Sequence, residues 1–260
     1  MPYETIILRK EAGVGYIILN RPETLNSLSD QMMAEFVQVL DEVANDPEVK
    51  VVVITGKGRG FCSGADMGHS IFTGTPAGIE RVLTLWHKVP AKLRGMPKPV
   101  IASVNGAAVG GGAGLALACD IIIASEQARF GQVFPTLGLH TDTGSTHTLP
   151  RLVGMARAME LLLTGRIINA REAEAMGMVS KVVPAESLES TTKELAESLA
   201  KGPPLALGMI KQSVYDALQT DLVTAMRREV DCLTITLLTE DCKEGTKAFL
   251  EKRKPEFRGR

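Results

Sequence analysis

Apolar and polar positions along the first 185 residues alternate between two patterns. Short apolar runs bounded by glycine or polar turns predict buried strands, and longer segments with an apolar residue every three or four positions predict helices. The predicted strands are 4–10 and 14–22, which form a hairpin or meander, and then 49–56, 100–106, 120–125 and 181–184. This order of strand, loop and helix is typical of an α/β fold.

Three helices are predicted between these strands. Ser29 or Asp30 can cap the first helix, which runs to Asn45 with its apolar residues at helical spacing. The second helix spans about 79–94 and ends at the sequence MPKP. The third opens in a glycine-rich stretch and ends near Cys119.

From residue 187 onward the pattern is helical and is interrupted only by KGPP at 201–204. We therefore place a boundary near residue 200, with an α/β core in 1–200 and a helical segment in 201–260. One core with a helical appendage also fits a chain of 260 residues, which is long for one domain and short for two large ones.

The amino-acid composition and the net charge give no indication of a membrane protein or a nucleic-acid-binding protein. Hydrophobic residues make up 45% of the chain and charged residues 23%, as in ordinary globular proteins, and the net charge of -1 gives no indication of nucleic-acid or membrane partners. No apolar stretch approaches the roughly 18 residues of a membrane span, so we expect a cytoplasmic protein. The cysteines form no CxxC pair, so neither a metal site nor a disulfide framework is expected; they are Cys62, Cys119, Cys232 and Cys242.

Two glycine-rich loops are the candidate functional segments. GRGFCSGADMG at 58–68 and NGAAVGGGAG at 105–114 each follow a predicted buried strand and open a helix. Free N–H groups at a helix N-terminus favour negative charge, so the loops could hold a phosphate or the oxygen of a carbonyl that gains charge in a reaction. Neither loop has the spacing of a nucleotide-binding fingerprint. The alternative is that the glycines serve only tight turns and close packing.

An ordered set of motifs resembles the enoyl-CoA hydratase/isomerase (crotonase) superfamily over nearly the whole chain. The motifs are LNRPETLNSLS, GKGRGFCSGADM, KPVIASVNGAAVGGGAGLALACDIIIAS, ARFGQ, LPRLVG and AMELLLTGRIINAREAEAMGMVSKVVP. The resemblance implies a spiral of ββα units with C-terminal helices that pack a homotrimer, often paired into a homohexamer. It also implies an acyl-CoA thioester substrate, with coenzyme A entering as part of the substrate and no separate cofactor.

The resemblance also implies site residues. The two oxyanion donors of the superfamily fall on the N–H groups of Ala65 and Gly111. Glu23 stands where many relatives carry a basic residue, so phosphate contacts are expected from Arg21, Lys57 or the basic C-terminus. The residues expected to line the substrate site are Glu23, Thr24, Leu25, Ser63, Gly64, Asp66, Met67, Gly68, Gly110 and Phe134.

The usual catalytic acids of hydratases are replaced in this sequence. Gly114 and Phe134 stand where hydratases carry two glutamates, and neither residue can transfer a proton. Asp142 lies where several branches carry a functional aspartate. Acyl-CoA ring isomerases use an acid there as a base, and chlorobenzoyl-CoA dehalogenases use it as a nucleophile. The alternative for Asp142 is a helix N-cap, because DTGST precedes a helix.

His87 matches the position of a catalytic histidine in the dehalogenases, and the alternative is a packed core histidine. The leading hypothesis is an acyl-CoA enzyme that isomerises or hydrates an enoyl-CoA, with Asp142 as base. The aromatic residue Phe134 favours a cyclic or aromatic acyl group. One alternative is an aroyl-CoA dehalogenase or hydrolase with Asp142 as nucleophile and His87 as base. Another is a catalytically silent acyl-CoA-binding subunit.

Overall fold

The computed structural model describes residues 3–66, 68, 70–72 and 74–260, so Met67, expected in the substrate site, lies outside the described residues. The strands are β1 Ile6–Glu11, β2 Val14–Leu19, β3 Val51–Gly56, β4 Gly60–Cys62, β5 Val100–Val104, β6 Ala107–Val109, β7 Ile121–Ser125, β8 Arg129–Gly131, β9 Ile167–Asn169 and β10 Lys181–Val183. The α-helices are α1 Asp30–Asn45, α2 Pro76–Gly95, α3 Gly111–Ala118, α4 Ser145–Val153, α5 Met155–Thr164, α6 Ala170–Ala175, α7 Leu188–Ala200, α8 Pro204–Ala217, α9 Leu222–Leu237 and α10 Glu240–Glu251. Short 3-10 helices span Pro22–Thr24, Ser70–Phe72, Phe134–Leu137 and Ala185–Ser187.

The strands form two sheets. The larger has the order β1-β2-β3-β5-β7-β10, in which β1 and β2 are antiparallel and the remaining pairs are parallel. The smaller has the order β4-β6-β8-β9, with only β9 antiparallel to its neighbour. Three times in succession a strand of the larger sheet leads to a strand of the smaller sheet and then to a helix: β3-β4-α2, β5-β6-α3 and β7-β8-α4. These are the predicted ββα units.

The central strands of the larger sheet are buried on both faces. Side chains of β3 and β5 are almost fully buried, which explains why these parallel strands have continuous apolar sequences. One face packs against α1 and α2 in a cluster that includes Phe36, Trp86 and Ile54. The opposite face packs against α7, where Leu188 and Ala196 contact the sheet.

The short strands β4, β6, β8 and β9 have no counterpart among the predicted elements. Each has three residues, which is too short for an alternating pattern to register. Helix α2 begins three residues earlier than predicted because the Thr75 hydroxyl accepts from the N–H of Gly78 and Pro76 occupies the first turn.

The α1 cap is at Ser29, one of the two predicted positions. Its hydroxyl accepts a hydrogen bond from the Met32 N–H over 3.2 Å. We expect Ser29→Ala to lower the free energy of unfolding by about 1 kcal/mol, because this N–H loses its acceptor. Urea denaturation measures the change, and Ser29→Thr is the control that keeps the cap. Equal losses in both variants would contradict a capping role.

Helix α9 leaves an apolar stripe exposed. None of its residues is buried, and its exposed apolar side chains follow a spacing of three and four residues: Val223, Met226, Val230, Leu233 and Leu237. Exposed apolar surface of this kind is typical of a protein interface. The expected trimer or hexamer stays a prediction. Among the described residues, no helix combines the length and apolar character needed to cross a bilayer.

Candidate active site

The two glycine-rich loops come into direct contact at Gly64. This residue follows β4 and has φ +90°, a left-handed conformation that favours glycine. A Cβ atom built on Gly64 would lie 2.8 Å from the Val109 carbonyl oxygen and 3.4 Å from the Gly111 nitrogen. Only a residue without a side chain allows the first loop to approach the start of α3 this closely.

The amide of Ala65 is directed away from its neighbouring backbone segment. The Leu28 N–H donates to the Gly64 carbonyl over 2.8 Å, and the Asp66 N–H donates to the Leu28 carbonyl over 3.0 Å. Because a trans peptide directs its C=O and N–H to opposite sides, the N–H of Ala65 points away from Leu28. Within the described part of the chain, it has no hydrogen-bond acceptor.

The amide of Gly111 is the first N–H of α3. Its neighbours are engaged: the Gly110 N–H donates to the Gly131 carbonyl over 2.8 Å, and the Gly110 carbonyl accepts from Gly114 over 3.1 Å. No acceptor for the Gly111 N–H lies among residues 3–66, 68, 70–72 and 74–260. An unpaired N–H at a helix N-terminus favours a partial negative charge on a ligand.

Ala65 and Gly111 both line a cavity of about 370 Å³. The predicted site residues that line it are Thr24, Ser63, Gly64, Ala65, Asp66, Gly110, Gly111, Phe134 and Asp142. Lining residues that the sequence analysis missed are Ser27, Phe72, Trp86, Val133, Leu137 and Leu139. Predicted residues that the structure places outside the lining are Glu23, Leu25, Gly68 and His87.

Asp142 brings a carboxylate to the same cavity. Its Oδ1 atom is buried and has no hydrogen-bond partner in the described part of the chain. A Cβ atom built on Gly111 would lie 3.9 Å from this oxygen. Burial raises the pKa of the Asp142 carboxyl, and the Thr143 hydroxyl and the His87 imidazole partly offset the rise. A largely desolvated carboxylate is a stronger proton acceptor than an ordinary surface aspartate.

The segment 142–145 forms a tight turn that directs this carboxylate. The Asp142 carbonyl accepts from the Ser145 N–H over 3.0 Å, and the two central residues have positive φ angles, +51° at Thr143 and +76° at Gly144. A β-branched residue in this conformation costs about 1–2 kcal/mol and must be held by its surroundings. Helix α4 has Gly144 as its N-cap and no side-chain cap. The capping interpretation of Asp142 is therefore wrong.

Gln132 holds both ends of the turn. Its Nε2 atom donates to the Ser145 hydroxyl over 3.1 Å, and its Oε1 atom accepts from the Thr141 hydroxyl over 3.3 Å. The Gln132 side chain is buried, so these bonds are shielded from water. The side chains of Thr141 and Ser145, on either side of Asp142, are thus bonded to the residue that follows β8.

The neighbours Trp86 and His87 lie on different sides of α2. Trp86 is buried and lines the cavity, whereas His87 is exposed. The signal for this difference was present in the sequence. Val82, Trp86, Val89 and Leu93 recur at helical spacing and share the packed face, and His87 falls about 100° away from it.

Arg21 is engaged in supporting the first loop. Its guanidinium donates to the Ser27 carbonyl over 2.6 Å and to Asp66 Oδ2 over 3.0 Å. This contact also lowers the pKa of Asp66. Three sources of contacts with the CoA phosphates were expected. Arg21 is taken up by the first loop, whereas Lys57, which is exposed, and the basic segment 251–260 do not support that loop.

Comparisons with known proteins agree with this fold. The profile of the enoyl-CoA hydratase/isomerase family matches residues 9–260. The chain is 41% identical to a 1,2-epoxyphenylacetyl-CoA isomerase of Escherichia coli, over 99% of both chains. It is 40% identical to a short-chain-enoyl-CoA hydratase of Clostridium acetobutylicum, over 98% of both chains.

Solved structures give the same result. The crystal structure of an enoyl-CoA hydratase from Bacillus anthracis superposes with a TM-score of 0.96 at 36% identity, covering 99% of this chain and 100% of that one. The predicted crotonase fold is confirmed. The chain belongs to the enoyl-CoA hydratase/isomerase family.

Proposed function

We propose that this protein is an acyl-CoA enzyme that moves a proton on the carbon next to the thioester and thereby shifts a double bond, with Asp142 as the base. The observation that supports the proposal most strongly is the unpartnered, buried Asp142 Oδ1 beside the Gly111 amide in one cavity. A base and an oxyanion donor that line one cavity suit a carbonyl oxygen and its α-carbon, which are neighbours in a thioester.

The N–H groups of Ala65 and Gly111 receive the thioester oxygen in this mechanism. As Asp142 takes the α-proton, the electron pair of the C–H bond moves toward the carbonyl and the oxygen becomes an enolate anion. Each positioned donor contributes about 3–4 kcal/mol to stabilising such an anion. The protonated Asp142 then returns the proton to the γ-carbon, so the double bond moves and no group is gained or lost.

The cavity wall suits a cyclic or aromatic acyl group. Three aromatic residues, Phe72, Trp86 and Phe134, line it together with Val133 and the leucines at 137 and 139. Flat rings pack well against such surfaces. The isomerase relative is also named for a ring-bearing acyl group, 1,2-epoxyphenylacetyl. We therefore propose a ring-bearing enoyl-CoA as the substrate class.

The other hypotheses have less support from the geometry. Nucleophilic attack by Asp142 on an aromatic ring, followed by hydrolysis, needs a base beside the attacking water. His87, the residue expected for that role, is exposed and is not part of the cavity lining. A silent binding subunit would have no use for a strained turn that holds a buried carboxylate oxygen beside Gly111.

A panel of CoA esters tests the proposal. Cyclohexenylacetyl-CoA with a β,γ double bond should be converted at unchanged mass, with the absorbance of a conjugated enoyl thioester appearing. Phenylacetyl-CoA in deuterium oxide should exchange its α-protons. Hydration of crotonyl-CoA with no α-exchange, or chloride release from chlorobenzoyl-CoA, would contradict the isomerase proposal, and absence of every reaction would favour a binding subunit.

A further inference from the structure

Gly114 lies directly beneath the side chain of Thr143. A Cβ atom built on Gly114 would lie 1.6 Å from Thr143 Oγ1 and 2.6 Å from Thr143 Cβ. Both distances are far below any real contact, and the second involves an atom that side-chain rotation cannot move away. No residue larger than glycine fits at 114 while Thr143 keeps its position.

Thr143 completely fills the space above Gly114. The residue is 3% exposed, and its hydroxyl has no hydrogen-bond partner of good geometry among the described residues. Its backbone adopts the left-handed region at φ +51°, which is unfavourable for a β-branched residue. Backbone preference therefore does not account for a threonine here, whereas its volume against α3 does.

We propose that Gly114 and Thr143 form a mutually exclusive pair that positions Asp142. With glycine at 114, Thr143 seats against α3 and its neighbour Asp142 is directed toward Gly111. A side chain at 114, including an acid, would displace Thr143 and with it the Asp142 carboxylate. The pair thus decides whether α3 or the 142–145 turn supplies the carboxylate of the site. This inference rests on the proposed role of Asp142.

The connection from residue 114 to the carboxylate is short. Thr143 follows Asp142 directly, and the Asp142 carbonyl is bonded to the Ser145 N–H. The Ser145 hydroxyl, held by Gln132, would itself lie 3.1 Å from a Cβ atom at 114. Gln132 is bonded to the side chains of Thr141 and Ser145, the residues on either side of the turn. A displacement of Thr143 is therefore expected to move the part of the turn between them, which includes Asp142.

The test compares Gly114→Ala, Thr143→Val and the double variant Gly114→Ala/Thr143→Gly, with α-proton exchange of phenylacetyl-CoA as the readout. Gly114→Ala is expected to lower the maximal exchange rate by about 100-fold, the effect of a displacement near 1 Å, with a smaller change in KM. Thr143→Val keeps the β-branched shape that packs against α3, and at a pH where Asp142 is fully ionised it should stay within about threefold of the parent. In the double variant, Thr143→Gly makes room for the new methyl group. Its exchange rate should be at least about tenfold higher than that of Gly114→Ala alone.

The pH profile separates positioning from a structural role. Displacement of Asp142 changes its burial, so the acidic limb of the exchange rate should move in Gly114→Ala and return in the double variant. Near-UV circular dichroism establishes that each variant is folded. The proposal is overturned if folded Gly114→Ala exchanges within threefold of the parent, if Thr143→Val is as impaired as Gly114→Ala, or if the double variant shows no recovery.

These outcomes are distinct from failure of the proposed function. If Asp142→Asn abolishes exchange while Gly114→Ala does not affect it, the base is correct and the pair has no positioning role. If Asp142→Asn exchanges normally, the proposed function itself fails, whatever the other variants show.

Discussion

Replacing Asp142 with asparagine is expected to lower the rate of α-proton exchange by about 10²–10⁴-fold, the range by which a positioned general base accelerates proton transfer. The amide has nearly the shape of the carboxylate but cannot accept a proton. The KM for phenylacetyl-CoA should change little, because the proposed oxyanion donors are the unaltered amides of Ala65 and Gly111. Exchange measured by mass spectrometry at saturating ester checks this.

The pH dependence follows from the direction of the pKa shift. Burial raises the pKa of Asp142, so the ionised base is lost as pH falls through a value above the ordinary aspartate range. We expect exchange to decline on the acidic side at correspondingly higher pH than an exposed aspartate would give. Since the folded-state pKa is raised, ionised Asp142 opposes folding above that pKa, and Asp142→Asn should be at least as heat-stable as the parent at neutral pH.

A matched control is Asp231→Asn, the same chemical change at an exposed position on α9. Its exchange rate and pH profile should equal those of the parent. If Asp142→Asn retains activity within threefold, or if the acidic limb is the same in both variants, Asp142 is not the base.

Replacing Lys211 with alanine is expected to lower the free energy of unfolding by about 3–5 kcal/mol, because it leaves a largely buried charge without its partner. Lys211 Nζ lies 2.8 Å from Asp120 Oδ2, and the two side chains are 6% and 16% exposed. The same ammonium donates to the carbonyls of Leu93 over 2.7 Å and Lys98 over 3.0 Å. Lys211 therefore joins α8 to the end of α2 and to the segment just before β5.

Asp120 has further partners that make the loss severe. It accepts from the Val100 N–H over 2.7 Å and from the Tyr215 hydroxyl over 2.6 Å, so it cannot turn toward water when Lys211 is removed. Urea denaturation measures the change. Lys201→Ala, at an exposed position just after α7, is the matched control, with an expected change below about 0.5 kcal/mol. A loss under 1 kcal/mol for Lys211→Ala would show that the ion pair is dispensable.

Local signals predicted the elements whose causes are local. The hairpin of β1 and β2, the α1 helix and its cap at Ser29 each depend on residues within a few positions of one another. The long buried strands were also predicted, because continuous apolar sequence reflects burial on both faces of a parallel sheet. Three-residue strands such as β4 and β6 exist only through pairing with distant partners, and no local pattern contains that information.

In the candidate site, too, features with local causes were predicted and features that depend on distant contacts were not. The two loops were predicted because glycine runs are visible in the sequence, whereas the contact between Gly64 and Gly111 depends on how two ββα units stack. Local rules favoured a cap at Asp142, but the turn through Thr143 places Gly144 at that position instead. The contact of Thr143 with Gly114 joins positions 29 residues apart in the sequence and has no local signature.

Because the proposed oxyanion donors at Ala65 and Gly111 are main-chain N–H groups, the proposed contact with the thioester oxygen uses no side-chain atom. A substitution elsewhere in the cavity can therefore alter which atom of the acyl chain is attacked without altering where its carbonyl rests. If the proposed donors bind the thioester, anchoring and reactivity are separable properties of one scaffold, and a new reaction requires only that a different carboxylate reach the bound ester.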